Sequence, residues 1–158
     1  MTQMHWSSSA GTHRGAVRKI NEDAFLNRHA DGLWVVADGM GGHEAGEVAS
    51  KMITGALQDL DMARPFETIV DALEDTLLSV HTQIRNYSRS HCEGRTMGST
   101  VVSLYLNADI GICLWAGDSR LYRYRDHQLS AVSEDHSQVN EMLARGMISA
   151  DEAVNHPA

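Results

Sequence analysis

A chain of 158 residues has room for one domain with a sizeable core, and not comfortably for two. Hydrophobic content of 42% against 22% charged residues is that of an ordinary soluble globular protein. A net charge of −8, with a pI near 5.5, argues against nucleic acid or an anionic membrane surface as the main partner.

The two cysteines, Cys92 and Cys113, have no paired spacing and read as reduced thiols. The N-terminus lacks a basic region followed by an apolar one, so no signal peptide is expected. No apolar run approaches the roughly 20 residues of a membrane span. The expectation is a soluble, cytoplasmic protein with neither a membrane nor a nucleic acid as partner.

In chain order, residues 5–14 are short and polar and suit an edge strand or lead-in. Asp23 to Asn27 follows as a strand with Phe25 turned inward, after a polar loop through Lys19 and Glu22. Leu33-Trp34-Val35-Val36-Ala37 is a continuous apolar run that stops at Asp38 and breaks into Gly39, Gly41 and Gly42. Such a run, bounded by turn residues, predicts a strand buried on both faces, with Asp38 at its rigid end. Asp31-Gly32 is a strong turn signal, so 22–27 and 33–37 are expected to pair as an antiparallel hairpin with a loop at 28–32. That pairing brings Glu22 and Asp38 to one end.

Ala45, Val48, Ala49, Met52, Ile53, Ala56, Leu57 and Leu60 then recur at the spacing of one helix face. Pro65 opens a second helix, whose stripe runs Phe66, Ile69, Val70, Leu73, Leu77, Val80, Ile84 and Tyr87. The turn composition of 88–97 is expected to end it. From Gly98 the period becomes two: Val101 to Leu106, a turn at Asn107-Ala108-Asp109, and a return from Ile110 to Trp115. Gly117-Asp118-Ser119-Arg120 is a second carboxylate in a glycine-bounded break. Leu121 to Arg125 and Leu129 to Val132 suit further strands around Asp126-His127. Ser137 to Gly146 has helical spacing, with Gly146 as its cap. The order strands, two helices, strands, joined by hairpins, predicts an α+β domain in which helices pack on antiparallel sheets.

The residues that carry chemistry are Arg18, Glu22, Asp23, Asp38, Gly39 and Asp118. Taken singly, each has a plainer reading. An Asp-Gly pair is usually a turn, Asn21-Glu22-Asp23 a solvated loop, Arg18 a surface charge and His43 a hydrogen-bonded structural residue. Ser119 has no adjacent histidine to make it a nucleophile. Taken together, the candidate ligands are all oxygen donors, which selects hard cations, Mg²⁺ or Mn²⁺, over zinc or copper. An arginine beside them suits a phosphate, because its planar fork grips two oxygens at once. Such a site serves phosphoester hydrolysis by a metal-activated water. A nucleotide cradle at Gly39 to Gly42 is disfavoured, since no Gly-Lys-Ser/Thr follows the glycines.

The combination has a specific match. Arg18-x-x-Asn21-Glu22-Asp23, then Ala37-Asp38-Gly39-Met40-Gly41-Gly42-His43-x-Ala45-Gly46-Glu47-x-Ala49-Ser50, then Gly98-Ser99-Thr100, then Ala116-Gly117-Asp118-Ser119-Arg120 resembles the metal-dependent PPM, or protein phosphatase 2C-like, serine/threonine phosphatases, in their bacterial form. The similarity runs from about Gly11 to the end, with the motifs in the family's order. It implies an antiparallel β-sandwich flanked by helices, in a single domain over 1–158, with a flap beginning about Ser133. It also implies a site for two Mn²⁺ or Mg²⁺ ions, with a third held more loosely. By residue, Asp38 would bridge two ions, Gly39 would offer its carbonyl, and Glu22 would hold one ion through water. Asp118 would serve the third ion, Arg18 would bind the substrate phosphate, and Asp23 would stand behind the ligands. Hydrolysis would proceed by in-line attack of water, without a phospho-enzyme.

The implied partners are phosphorylated proteins and a cognate serine/threonine kinase. Met40 stands where many eukaryotic members carry a histidine proposed as general acid. The resemblance also places two further metal-binding aspartates, and later strands, beyond residue 158. The chain is therefore expected to be the N-terminal two-thirds of a phosphatase domain. The competing reading is a truncated or non-catalytic phosphoprotein-binding module, a pseudophosphatase.

Overall fold

The computed structural model describes residues 5–42, 44–92, 95–137, 142, 145–147 and 149. Strand β1 (Asp23–Arg28) turns through a short 3-10 segment (His29–Asp31) into β2 (Leu33–Met40), with Gly32 left-handed at φ 69°. Helix α1 (Ala45–Gln58) and helix α2 (Phe66–His91) follow, then β3 (Gly98–Ser99), β4 (Val101–Asn107), β5 (Ile110–Ala116), β6 (Tyr122–Arg125) and β7 (Gln128–Ala131). The first five strands form one antiparallel sheet in the order β1-β2-β4-β5, with β3 pairing the end of β2. β6 and β7 form a separate two-stranded sheet. The fold is α+β, as the period changes along the chain predict.

One layer holds the core. Leu26, Leu33, Val35 and Ala37 point from the hairpin into the stripes of the two helices, Ala49, Ile53 and Leu57 from α1 and Ile69, Leu73, Val80 and Ile84 from α2. Every one of these helix positions falls on the periodic stripe read from the sequence. Removal of their apolar surface from water is the main force joining helices to sheet. Arg28 locks the corner: its guanidinium pairs with Asp31 at 2.8 Å and donates to Leu57 O at 3.0 Å and Leu60 O at 2.6 Å. It thereby caps the C-terminal end of α1, where free carbonyls and the helix dipole favour a cation.

Five sequence expectations need correction. Phe25 is not turned inward: it is 38% exposed, and its neighbour Leu26 is the buried residue of β1. β2 is not buried on both faces: its burial alternates, and Val36 is 48% exposed. Only the face toward α1 and α2 is covered among the described residues, so the pleat, and not the apolar run, decides which side chains are buried. β2 also continues past Ala37 to Met40, because β3 supplies Gly39 and Met40 with partners. Asp38 therefore lies within a strand. Helix α2 continues to His91, where Tyr87 stacks on His91 and Ser90 Oγ bonds back to Asn86 O at 3.0 Å. Pro65 sits at the cap position with extended backbone, one residue before the helix.

The hairpin of β6 and β7 turns on Asp126 and His127, both left-handed, as two-residue hairpins require. The residues from Ser133 fold back on the β5–β6 connection. Trp115 Nε1 donates to Glu134 O at 2.7 Å, His136 N–H to Gly117 O at 2.9 Å, and Leu121 N–H to Ser133 Oγ at 2.9 Å. Most of the expected helix from Ser137 to Gly146 lies outside the described residues, as do His43 and residues 150–158. Gly146 itself has left-handed backbone. No helix among the described residues is long and apolar enough to cross a membrane.

Candidate functional site

The site is assembled by strand register. β1 and β2 pair so that Asp23 faces Asp38, and beyond them Gly39 N–H donates to Glu22 O at 3.1 Å. Four candidate residues thus meet at one end of a hairpin. Asn21 shapes the entry to β1: its side chain accepts from Asp23 N–H at 3.1 Å and donates to Thr12 Oγ1 at 2.7 Å. From the loop before it, Arg18 Nη1 donates to Glu22 Oε2 at 3.2 Å. The arginine side chain is 69% exposed and the glutamate 16%, so the guanidinium keeps donors free for a ligand while the carboxylate is held.

The first turn of α1 presses against the same end. Side chains at Gly39 and Gly46 are excluded by space: a Cβ on Gly39 would collide with Gly46 O, and one on Gly46 with Glu22 Oε1. That close approach encloses Glu22 Oε1, which is buried with no hydrogen-bond partner. A carboxylate oxygen in that state costs free energy unless a cation or an ordered water meets it.

Asp118 arrives from the loop after β5, at a turn where Gly117 is left-handed at φ 105°. Partial desolvation pushes the Asp38 carboxyl above the ordinary aspartate value, and the charges of Asp23 and Asp118 add to the effect. A hydrogen bond that protonated Asp38 donates to Asp23 acts the same way, while Arg18 pulls in the opposite direction. Asp38 thus feels two neighbouring carboxylates and one guanidinium that opposes them. A cleft of about 220 Å³ opens over Asp23 and Asp38, lined also by His13, Arg14, Arg18 and Asn21, while Asp118 lies outside its lining.

The donor set suits a hard divalent cation: carboxylate oxygens that repel one another and one buried oxygen without a partner. It is also incomplete, since no three acidic, histidine or cysteine side chains among the described residues close round a common point. Residues 13 and 14 line the cleft without having been singled out in the sequence, where one arginine and one histidine among many carry no signal. Ser99, Thr100 and Ser119 also bond into the site. Their sequence signals are Gly98-Ser99-Thr100 and the Ser119 of Gly117-Asp118-Ser119-Arg120, motifs in the right order in which these hydroxyls carry no legible chemistry.

The family model for protein phosphatase 2C matches residues 10–150. The chain belongs to that family. Among its relatives, the serine/threonine phosphatase stp of Listeria monocytogenes is 38% identical over 153 residues, covering 92% of this chain and 61% of the relative. The serine/threonine protein phosphatase PstP of Mycobacterium tuberculosis is 33% identical over 150 residues, covering 94% of this chain and 29% of PstP. Among solved structures, PppA, described as a key regulatory component of T6SS in Pseudomonas aeruginosa, superposes with a TM-score of 0.79 at 44% identity, over 86% of this chain and 59% of PppA. The PstP catalytic domain in complex with two manganese ions superposes with a TM-score of 0.77 at 32% identity, over 92% of this chain and 62% of that domain. The chain therefore spans about three-fifths of the stp phosphatase and of the solved phosphatase domains.

Proposed function

We propose that this chain carries the N-terminal share of the active site of a metal-dependent protein serine/threonine phosphatase. The observation that bears most weight is the placement of Asp23 and Asp118 near enough to Asp38 for their charges to raise its carboxyl, with the exposed guanidinium of Arg18 acting against them. Repulsion of this kind costs stability, and a divalent cation is the ligand that relieves it. In this reading Asp38, Glu22 and Asp118 would hold the ions, with the Gly39 carbonyl as a further oxygen donor. Bound Mn²⁺ or Mg²⁺ supplies an acidified water as nucleophile and neutralises charge on the phosphoryl oxygens. Arg18 orients the phosphate, its donors spreading over two oxygens, while Glu22 fixes where the guanidinium points. Asp23 stands beside Asp38 across the strand pair, behind the ligands. Met40, at 61% exposure and with no titratable group, supplies no proton to the leaving alkoxide.

The substrates are phosphoserine and phosphothreonine proteins, and the biological counterpart is a serine/threonine kinase acting on the same proteins in the cytoplasm. Hydrolysis of a phosphothreonine peptide tests the reading, with Mn²⁺, with EDTA, and with Asp38→Asn, on this chain and on a form extended to the relatives' length. Turnover by the extended form that both EDTA and the substitution abolish is the expected result. No turnover by the extended form at millimolar Mn²⁺ would overturn it and leave a phosphoprotein-binding module.

A further inference from the structure

Thr100 fills the single-residue gap between β3 and β4, and it has no role in the reading given above. The ladder keeps one register on both sides of the gap, Gly39 facing Ser99 and Val36 facing Val102, which sets Thr100 across from Asp38. Its N–H donates to Asp38 O at 2.8 Å, as in a regular rung. The return bond is irregular. Asp38 N–H donates to the Thr100 hydroxyl at 3.1 Å and not to its carbonyl, which accepts from Ser99 Oγ at 2.8 Å. Ser99 Oγ also reaches Asp38 O at 3.0 Å.

The exchange of a carbonyl for a side chain has a use. A carbonyl could hold Asp38, but it could not also reach a second loop. Thr100 Oγ1 lies 2.6 Å from Ser119 Oγ, next in sequence to Asp118. The threonine methyl lies against Gly117, where a Cβ would come within 2.7 Å of Cγ2 and clash. One side chain therefore touches both carboxylate-bearing segments, which are 80 residues apart in the chain and joined by no ladder bond at this point.

We infer that Thr100 is a positioning residue: its hydroxyl clasps the Asp38 strand to the Asp118 turn and sets the distance between the two carboxylates, the methyl only filling space against Gly117. The inference rests on the metal-phosphatase reading for its purpose, but the clasp can be observed without metal. Outer partners of this kind, which hold ligands without touching the ion, commonly govern affinity by one or two orders of magnitude.

The test uses the 158-residue chain with Thr100→Val, which keeps the shape and removes the hydroxyl, Thr100→Ser, which keeps the hydroxyl, and Ser119→Ala. Amide hydrogen exchange is followed at Asp38 and at residues 117–119, and Mn²⁺ binding by electron paramagnetic resonance of the free ion. The valine variant should exchange faster at both segments and lose about tenfold in Mn²⁺ affinity, with the serine variant close to the parent. Adding Ser119→Ala to the valine variant should change little, because both remove the same bond. Unchanged exchange at 117–119 in the valine variant, or a serine variant as impaired as valine, overturns the clasp. A parent chain that binds no Mn²⁺, yet shows the exchange effects, retains the clasp, because its ligand set is incomplete, and the tenfold loss is then expected in the form extended to the relatives' length.

Discussion

The helix-backed sheet and the β6–β7 hairpin are built from the same kind of alternating strand, yet they end in opposite states. In β2 and β4 every second residue or more is buried, while all eight residues of β6 and β7 are exposed, with Tyr124 and Leu129 each at 68%. The difference lies in the neighbour, since α1 and α2 cover one and no described element covers the other. Alternation in a sequence thus fixes which residues share a face, and only packing decides which face is dry. The carboxylates sit at the boundary, anchored by the dry sheet and directed away from it.

Three substitutions sharpen that contrast. Leu73→Ala, at 1% exposure between α2 and the sheet, should cost about 3 kcal/mol in denaturant unfolding, chiefly through the cavity it leaves; a loss under about 1 kcal/mol would mean that α2 is not part of the core. Asp38→Asn should act in the other direction. The folded Asp38 carboxyl titrates above its ordinary value, so its contribution is fully present below the unfolded pKa and is lost as pH rises through the folded one. In EDTA the asparagine variant should therefore melt higher than the parent at pH 7, with the gap closing toward pH 3. A variant that melts lower at pH 7 would contradict the crowding of carboxylates. Tyr124→Ser in the hairpin should change stability by no more than about 0.5 kcal/mol, within the range of exposed sites, and a larger loss would show that something covers it.

Much of this was legible in the residues, and the exceptions share a cause. Helix stripes follow from a period of 3.6, and Ile69, Leu73, Val80 and Ile84 are buried where that period puts them. That Glu22 and Asp38 share one end of the hairpin followed from the pairing alone, while the register sets Asp23 across from Asp38. The extension of β2 to Met40 was not legible, because Gly98 and Ser99 that pair with it are 58 or more residues away. The same distance hides Thr100, whose hydroxyl matters only once two remote segments are beside it. The last turn of α2 was missed for a local reason. Ser88, Arg89, Ser90 and His91 have turn composition, and the helix holds them through Ser90 bonding back to Asn86 and the stacked Tyr87–His91 pair.

Arg28 bears on how the chain finds this arrangement. It joins the β1–β2 corner to the end of α1, so three consecutive elements within residues 23–58 close on themselves before any partner from later in the chain is needed. Contacts over such short stretches of chain form with little loss of loop entropy, whereas β4 must travel past both helices to pair with β2. The hairpin and α1 can thus assemble as the nucleus on which α2 and β4 condense, and substitutions at Arg28 should slow folding more than they speed unfolding.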